Sequence, residues 1–166
     1  MTYDLRRQKL FDWLDAHGIR YTHREHPAVR TAEAACRCKH DEGSTACKNL
    51  LLRNRKGDRH YLVCLAADRR LDLHALSERL EQGRLFFASE RELEELLGIA
   101  PGALSPFGVL NDPAKRVRLL LDEHLSHAEA YSFHPNDNRA TVFVARAEFL
   151  RYFALTGHLC KFIRLH

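Results

Sequence analysis

Two apolar runs joined by a polar turn are the feature that most constrains how this chain can fold. The first run covers Lys48–Leu52 and the second His60–Leu65, and Lys56-Gly57-Asp58 lies in the turn between them. Strand-like runs separated by a short polar segment that contains glycine predict a β-hairpin. Its first strand opens with a lysine followed by an asparagine, Lys48-Asn49.

Lys48 needs a specific environment at the start of an apolar strand. An unpaired ammonium group among apolar side chains costs several kcal/mol. The side chain therefore either extends to solvent at the strand edge, or it faces a pocket where an anionic partner compensates its charge. The residues of the hairpin alone leave both possibilities open.

The rest of the chain predicts further helices and strands in irregular alternation. The first helix is predicted over residues 4–17, and a short second helix follows Thr31 as its N-cap. Three more are predicted: one that Asp72 caps and Gly83 ends, one from the Ser89 capping box to Leu97, and one from Glu148 to near Gly157. Strands are predicted over residues 19–23, 84–88, 141–144 and 161–165, whereas the leucines of residues 117–122 fit a helix as well as a strand. Irregular alternation favours a mixed sheet packed with helices over a doubly wound fold.

Composition predicts one domain, residues 1–166, in a reducing compartment. The chain is 45% hydrophobic and 29% charged, as is usual for a globular protein. No apolar run approaches the roughly 20 residues of a membrane span, and the polar N-terminal segment is unlike a secretory signal. The 5 cysteines are an odd number without a regular framework. We therefore expect a cytoplasmic protein without a membrane partner.

The net charge of +4 permits a polyanionic partner without requiring one. Basic residues gather in three clusters, at Arg53, Arg55, Lys56 and Arg59, at Arg69 and Arg70, and at Lys115, Arg116 and Arg118. For any one cluster alone, a solvated turn is the preferred interpretation.

Cys36, Cys38, His40 and Cys47 offer thiolate and imidazole ligands for zinc. Their spacing lacks the second C-x-x-C pair of a typical zinc site, so a loop with incidental cysteines is the preferred interpretation and no metal is predicted. Neither a nucleophile elbow nor a glycine-rich phosphate loop is present. Two features remain: the Lys48-Asn49 pair, and the segment Gly102–Pro106, whose glycine allows close backbone approach and whose proline fixes φ.

These features resemble the motifs of the prolyl-tRNA editing family. Cys47–Asn54 resembles its K-N-L-F-L motif, and Gly102–Pro106 resembles its G-x-x-x-P motif. Several later residues fall where the family has its other landmarks: Asn111, Asp112, Asp122, His134, Pro135, Asn138 and Thr141. The likeness extends from about residue 20 to the C-terminus, and the free-standing chain is most similar to the ProX type.

The resemblance implies a fold, an activity and partners. The fold is an α+β arrangement with a mixed β-sheet or barrel flanked by helices, which makes residues 117–122 a strand. The activity is hydrolysis of the aminoacyl ester of mischarged proline tRNA, with alanine as the expected amino acid and no cofactor. The expected partners are the acceptor end of that tRNA and prolyl-tRNA synthetase.

The resemblance also implies roles for individual residues. The catalytic candidates are Lys48, Gly102 and His134, and the substrate-binding candidates are Asn49, Thr31, Ser105 and Pro106. The hairpin cations Arg53, Arg55, Lys56 and Arg59 are candidates for binding the acceptor stem through its phosphates. His134 can instead be a turn histidine that caps the following strand. We expect Lys48 to lie at a pocket rim and to face Gly102.

Three alternatives remain open from the sequence. The cleared amino acid can be cysteine or serine instead of alanine. The chain can also be an RNA-binding or regulatory module that keeps the fold without the activity. A small zinc protein is the third alternative.

Overall fold

The computed structural model describes residues 3–28 and 43–165, which contain helices on both faces of a β-sheet. The described α-helices are α1 (Tyr3–Ala16), α2 (Leu73–Leu80), α3 (Glu90–Leu97) and α4 (Arg146–Thr156). The strands are β1 (Thr22–Glu25), β2 (Thr45–Arg53), β3 (His60–Ala66), β4 (Phe86–Phe87), β5 (Val117–Asp122), β6 (Ala130–Phe133), β7 (Ala140–Ala145) and β8 (Cys160–Ile163). Two 3₁₀ helices cover Pro106–Asn111 and Glu123–His127.

The eight strands form one mixed sheet in the order β1-β7-β6-β2-β3-β5-β8, with β4 paired to β2 off this path. β2 is antiparallel to β3 along Cys47–Arg53. Its other edge is divided, because Thr45 and Ala46 pair in parallel with β6, whereas Leu52 and Arg53 pair with β4. The sheet therefore separates into two branches beside the middle of β2.

Apolar side chains cover the two faces of this sheet as two clusters. The larger core cluster contains aromatic residues of the sheet, α4 and the first 3₁₀ helix, among them Phe107, Phe133, Phe149 and Tyr152. The smaller core cluster lies on the other face, under α2, and includes Leu52, Tyr61, Leu76, Leu85 and Leu120. Odd-numbered residues of β2 contribute to the larger cluster and even-numbered residues to the smaller one.

The predicted mixed α+β fold is confirmed. The β2–β3 hairpin is present, and its turn is closed by the Asn54 Oδ1 atom, which accepts from the backbone amides of Gly57, Asp58 and Arg59 at 2.9, 3.2 and 3.2 Å. Asp72 caps α2, and Ser89 forms the expected capping box with Glu92 on α3.

Three elements differ from those that the hydrophobic periodicity of the sequence predicts. Residues 117–122 form strand β5, as the resemblance implies and against their helical spacing. The first strand begins at Thr22 instead of residue 19, because the amide of Ile19 still donates to the Leu14 carbonyl at the end of α1. Strand β6 was not predicted. Across the described parts of the chain, no helix combines the length and the apolar character needed to cross a bilayer.

Candidate active site

Lys48 and Asn49 point to opposite faces of the sheet. Side chains alternate along a strand, so Asn49 lies on the face of Cys47 and Leu51, which belong to the larger core cluster. Lys48 lies on the face of Leu52, which belongs to the smaller core cluster. The lysine is half-buried and makes no ion pair with a described residue. The two members of the motif therefore have different surroundings.

The register of β2 with β6 relates Lys48 to His134. β2 and β6 are parallel, with Thr45 opposite Tyr131 and Ala46 opposite Ser132, and the pairing ends there. The same register continued by two residues would bring Lys48 level with His134, which directly follows β6 and is 4% exposed. A shared surface for the lysine and the histidine, beside the point where the sheet divides, is therefore a prediction from this register.

His134 has a defined tautomer and a structural contact. Its Nδ1 atom lies 3.1 Å from the backbone carbonyl of Ala140, at the start of β7. A carbonyl oxygen only accepts, so Nδ1 carries the proton in this contact. The interpretation of His134 as a residue that closes the turn before β7 thus has a hydrogen bond to support it, and this bond also orients the ring.

A second histidine lies next to His134. The ring centroids of His26 and His134 are 6.2 Å apart. His26 Nδ1 donates to the Pro27 carbonyl at 2.8 Å, and its Nε2 lies 2.8 Å from the Thr141 hydroxyl, which therefore donates to it when the ring is neutral. Because Arg24 of β1 is paired with Thr141 of β7, this pair extends the polar surface across three strands.

Asn49 connects β2 to the loop that contains Gly102. Its amide nitrogen donates to the Leu104 carbonyl at 3.4 Å, and its Oδ1 atom is buried without a hydrogen bond from any described residue. Asn49 thus fixes the position of the Gly102–Pro106 loop relative to β2.

Gly102 occupies an exposed position with φ of +84°, a conformation that strongly favours glycine. A Cβ atom at this position would lie 3.7 Å from the amide nitrogen of Asn138, in ordinary van der Waals contact. Asn138 belongs to the turn that begins at His134, so Gly102 adjoins the same turn as the histidine. The orientation of Lys48 toward Gly102 stays a prediction.

Ser105 and Pro106 have structural roles in the loop. Ser105 is fully buried, and its hydroxyl caps the 3₁₀ helix by accepting from the Phe107 amide at 3.1 Å. Pro106 occupies the first turn of that helix, where a missing N–H group costs nothing. Their assignment as substrate-binding residues stays a prediction, and Thr31 lies outside the described residues.

The turn between β6 and β7 is held by a buried acid. Asp137 is fully buried, and its Oδ2 atom lies 2.9 Å from Nη2 of Arg139 and 4.0 Å from Nε of Arg7. Burial alone would raise the pKa of Asp137, but the hydrogen bonds and charge of Arg139, together with the charge of Arg7, outweigh it and hold the pKa below its usual value. The Asp137 carboxylate, held by Arg139 and Arg7, therefore fixes the turn that presents His134 and Asn138.

The four cations of the hairpin are not equivalent. Arg53 donates to the carbonyls of Asn54 and Arg55, and its Nη1 atom lies 3.6 Å from Oε1 of Glu92, so it reinforces the turn and the contact with α3. The other three, Arg55, Lys56 and Arg59, are exposed. These three are available for phosphate contacts, whereas Arg53 is already engaged within the protein.

Three of the four candidate zinc ligands, Cys36, Cys38 and His40, lie outside the described residues. Cys47 is 1% exposed within the larger core cluster, and its Sγ atom contacts the Thr45 carbonyl at 3.4 Å. It lies on the opposite face of β2 from Lys48.

His26 and Asn138 are members of this surface that were not assigned to the site from sequence. Asn138 was noted only as a landmark of the resemblance. Their proximity to His134 and Gly102 depends on the pairing of β1, β6 and β7, which the sequence does not show. The assembled surface offers one ammonium group, two oriented imidazoles and a loop with accessible backbone.

Comparisons with known proteins agree on one family. The model of the aminoacyl-tRNA editing domain matches residues 26–152. The chain is 36% identical to the prolyl-tRNA editing protein ProX of Acetoanaerobium sticklandii, over 96% of this chain and 97% of the relative. It is 35% identical to the prolyl-tRNA synthetase associated domain-containing protein 1 of Danio rerio, over 92% and 83% of the two chains. The crystal structure of a candidate trans-editing enzyme for prolyl-tRNA synthetase superposes with a TM-score of 0.71, at 28% identity and 96% coverage of both chains.

Proposed function

This chain belongs to the aminoacyl-tRNA editing domain family, and we propose that it hydrolyses the ester of proline tRNA charged with the wrong amino acid, alanine in particular. The observation that carries this proposal is the 36% identity to a prolyl-tRNA editing protein along almost the whole of both chains. The proposed partners in the cytoplasm are the acceptor end of that tRNA and prolyl-tRNA synthetase.

The proposed reaction requires neither a protein nucleophile nor a metal ion. Water adds to the carbonyl carbon of the aminoacyl ester, the bond to the ribose oxygen breaks, and that oxygen takes up a proton. The products are the free amino acid and deacylated tRNA. An aminoacyl ester is already activated, so positioning and stabilisation of the developing oxyanion supply much of the catalysis.

The geometry supports specific roles on the surface of Lys48 and His134. In our proposal the Lys48 ammonium donates charge-assisted hydrogen bonds to the terminal phosphate or to the ester oxygens. His134, whose ring is oriented by the Nδ1 contact with the Ala140 carbonyl, contributes acid–base assistance or a phosphate contact. The accessible backbone at Gly102 adjoins the aminoacyl group. Asn49 is a positioning residue, because its amide contacts the loop through the Leu104 carbonyl.

Selectivity follows from the size of the amino acid. A synthetase site shaped for proline cannot strongly reject a smaller side chain, since the loss of a methylene changes binding by only about 1–3 kcal/mol. A second site that admits alanine and excludes the pyrrolidine ring removes the error after it has been made. The exposed hairpin cations Arg55, Lys56 and Arg59 are proposed to hold the acceptor stem, mainly through its phosphates.

A side-by-side deacylation assay tests the function. Purified protein is incubated with proline tRNA carrying alanine, cysteine, serine or proline, and the release of each labelled amino acid is followed over time. We expect rapid release of alanine and no release of proline above the spontaneous rate. A spontaneous rate for all four esters would refute the hydrolase and leave an RNA-binding module, whereas preferred release of cysteine or serine would refute the alanine assignment.

A further inference from the structure

A groove along strand β8, at the opposite end of the strand order from β1, concentrates five cations, four of which make no ion pair with a described residue. This β8 groove has a volume of about 1050 Å³ and is bordered by β5, β8 and the end of α2. Its five cations are Arg79, Lys115, Arg118, Lys161 and Arg164, and one carboxylate, Glu123, accompanies them. Glu123 lies 4.0 Å from Arg164, whereas the other four cations make no ion pair with a described residue.

Several arginines elsewhere in the described structure form ion pairs with carboxylates, in contrast to four of the five cations of the groove. Arg6 contacts Glu94 at 2.7 Å, and Arg91 contacts Glu95 at the same distance. Even Arg116, inside the basic sequence cluster that supplies Lys115 and Arg118, lies 3.6 Å from Asp112 and donates to the Glu95 carbonyl. Unpaired cations close together repel one another, so their collection in one groove favours a polyanionic ligand.

The register of the strands places the groove on the same face of the sheet as Lys48. Leu120 of β5 is paired with Lys161 of β8, and Leu120 belongs to the smaller core cluster. Arg118, two residues before Leu120, points to the same side. Three strand spacings, about 14 Å in total, separate β2 from β8 in the sheet order. This spacing is short compared with the length of an acceptor arm and its 3′ end.

The groove also adjoins the exposed end of the hairpin. His60, which directly follows Arg59, is paired with Val117 at the start of β5. The hairpin cations and the Lys115 end of the groove thus lie at the same end of the sheet. Since β5 has six residues at about 3.3 Å each, the cationic track continues from the hairpin for about 20 Å along the strand.

We propose that the β8 groove binds the phosphate backbone of the double-stranded acceptor arm while the 3′ end occupies the surface of Lys48 and His134. This inference rests on the proposed function and extends it, because it assigns a second RNA contact surface beyond the hairpin. Contacts of this kind carry no base information, so the groove increases affinity for tRNA in general and leaves the choice of amino acid to the active site.

Charge reversal tests the groove. The variant Arg118→Glu/Lys161→Glu is compared with Lys9→Glu/Arg20→Glu, which makes the same change in charge on α1 and next to β1, away from the groove. All four residues are exposed, but the control loses the Lys9 contact with Asn111 and the Arg20 ion pair with Glu148, so urea unfolding of both variants is measured beside binding. The Kd for deacylated proline tRNA is measured by fluorescence anisotropy from 50 to 200 mM salt, and hydrolysis is measured on Ala-tRNA and on alanine esterified to a four-nucleotide 3′-terminal fragment.

The groove variant should bind tRNA at least about tenfold more weakly than the control variant at the low-salt end, and its slope of log affinity against log salt should fall by about two. Its kcat/KM for the short ester should match that of the wild type, because the fragment lacks the stem. Equal tRNA affinity and equal salt slopes for the two variants would overturn the proposal and point to an acidic protein partner instead. If the wild type hydrolyses neither substrate, the proposed function fails, while the binding comparison still decides the groove.

Discussion

Replacement of Lys48 by methionine separates a catalytic lysine from one that only fills space. Methionine keeps an unbranched side chain of similar length and removes the charge. Hydrogen bonds to charged groups contribute about 1.5–3 kcal/mol. Because each 1.36 kcal/mol of transition-state stabilisation changes the rate about tenfold, kcat/KM for Ala-tRNA should fall about 10- to 150-fold.

The same substitution should leave the protein folded. Lys48 is half-buried and makes no ion pair with a described residue, and its face of β2 borders the smaller core cluster. Loss of the ammonium group therefore breaks no described salt bridge, and the free energy of unfolding should stay within about 0.5 kcal/mol of the wild type. A large kinetic effect combined with a small stability effect is the expected signature.

The assay is single-turnover deacylation of Ala-tRNA with urea unfolding of each variant in parallel. Lys48→Arg keeps the charge and should recover part of the activity, and Lys9→Met makes the same chemical change on the exposed surface of α1. Our reasoning is refuted if Lys48→Met keeps kcat/KM within twofold of the wild type. It is also refuted if the loss of activity follows a comparable loss of stability.

Three further predictions concern the loop, the core and the contact below the hairpin. Gly102→Ala should lose about 1–2 kcal/mol of stability, because a φ of +84° is costly for alanine. In the deacylation assay its kcat should fall by a larger factor than the change in its KM. Gly108→Ala would place a Cβ atom 2.4 Å from Cδ1 of Ile99, so urea unfolding should show a loss of about 1–3 kcal/mol with activity retained per folded molecule. Burial opposes ionisation of Glu92, but the His60 contact and the Ser89 cap outweigh it and lower its pKa from 4.5 to about 2. The stability that ionised Glu92 contributes is thus complete above pH 4.5 and lost as the pH falls toward about 2, so the stability difference from Glu92→Gln should shrink over that range.

The sequence predicted best those elements whose signals are local. The side chains of Asp72 and Ser89 cap their helices by accepting from backbone amides three residues later in the chain. Donor and acceptor are therefore close in sequence, and the sequence pattern is enough to predict the cap. Strand β6 could not be found in this way, because it has only four residues and its partners β2 and β7 pair with it from both sides. Residues 117–122 show the reverse effect, since their place between β3 and β8 overrides a helical spacing of leucines.

The candidate site was predicted as a set of residues and not as an arrangement. Lys48 and Asn49 are adjacent in the chain, and both were predicted to belong to one site. Strand alternation places them on opposite faces, and only the register of β2 with β6 shows which residues of those two strands lie side by side. Such a register joins residues more than 80 positions apart, and periodicity within either strand contains no information about it.

Continuous pairing with β3 explains how one strand can serve both the 3′ end and the acceptor stem of the proposed substrate. β3 pairs with β2 at every residue from Cys47 to Arg53, so the strand is rigid along its length. Lys48 and Arg53 are five residues apart, about 17 Å along the strand, and Arg55 follows in the turn. In the proposed complex the hairpin cations contact phosphates that do not change during the reaction, so their binding energy is the same in the ground state and the transition state and lowers KM alone. A Lys48 contact with the ester oxygens, where charge develops, contributes to kcat, whereas a contact with the terminal phosphate contributes to KM. A substrate shortened to the 3′ end should therefore have a higher KM, because the hairpin contacts are lost, and should keep its dependence on Lys48.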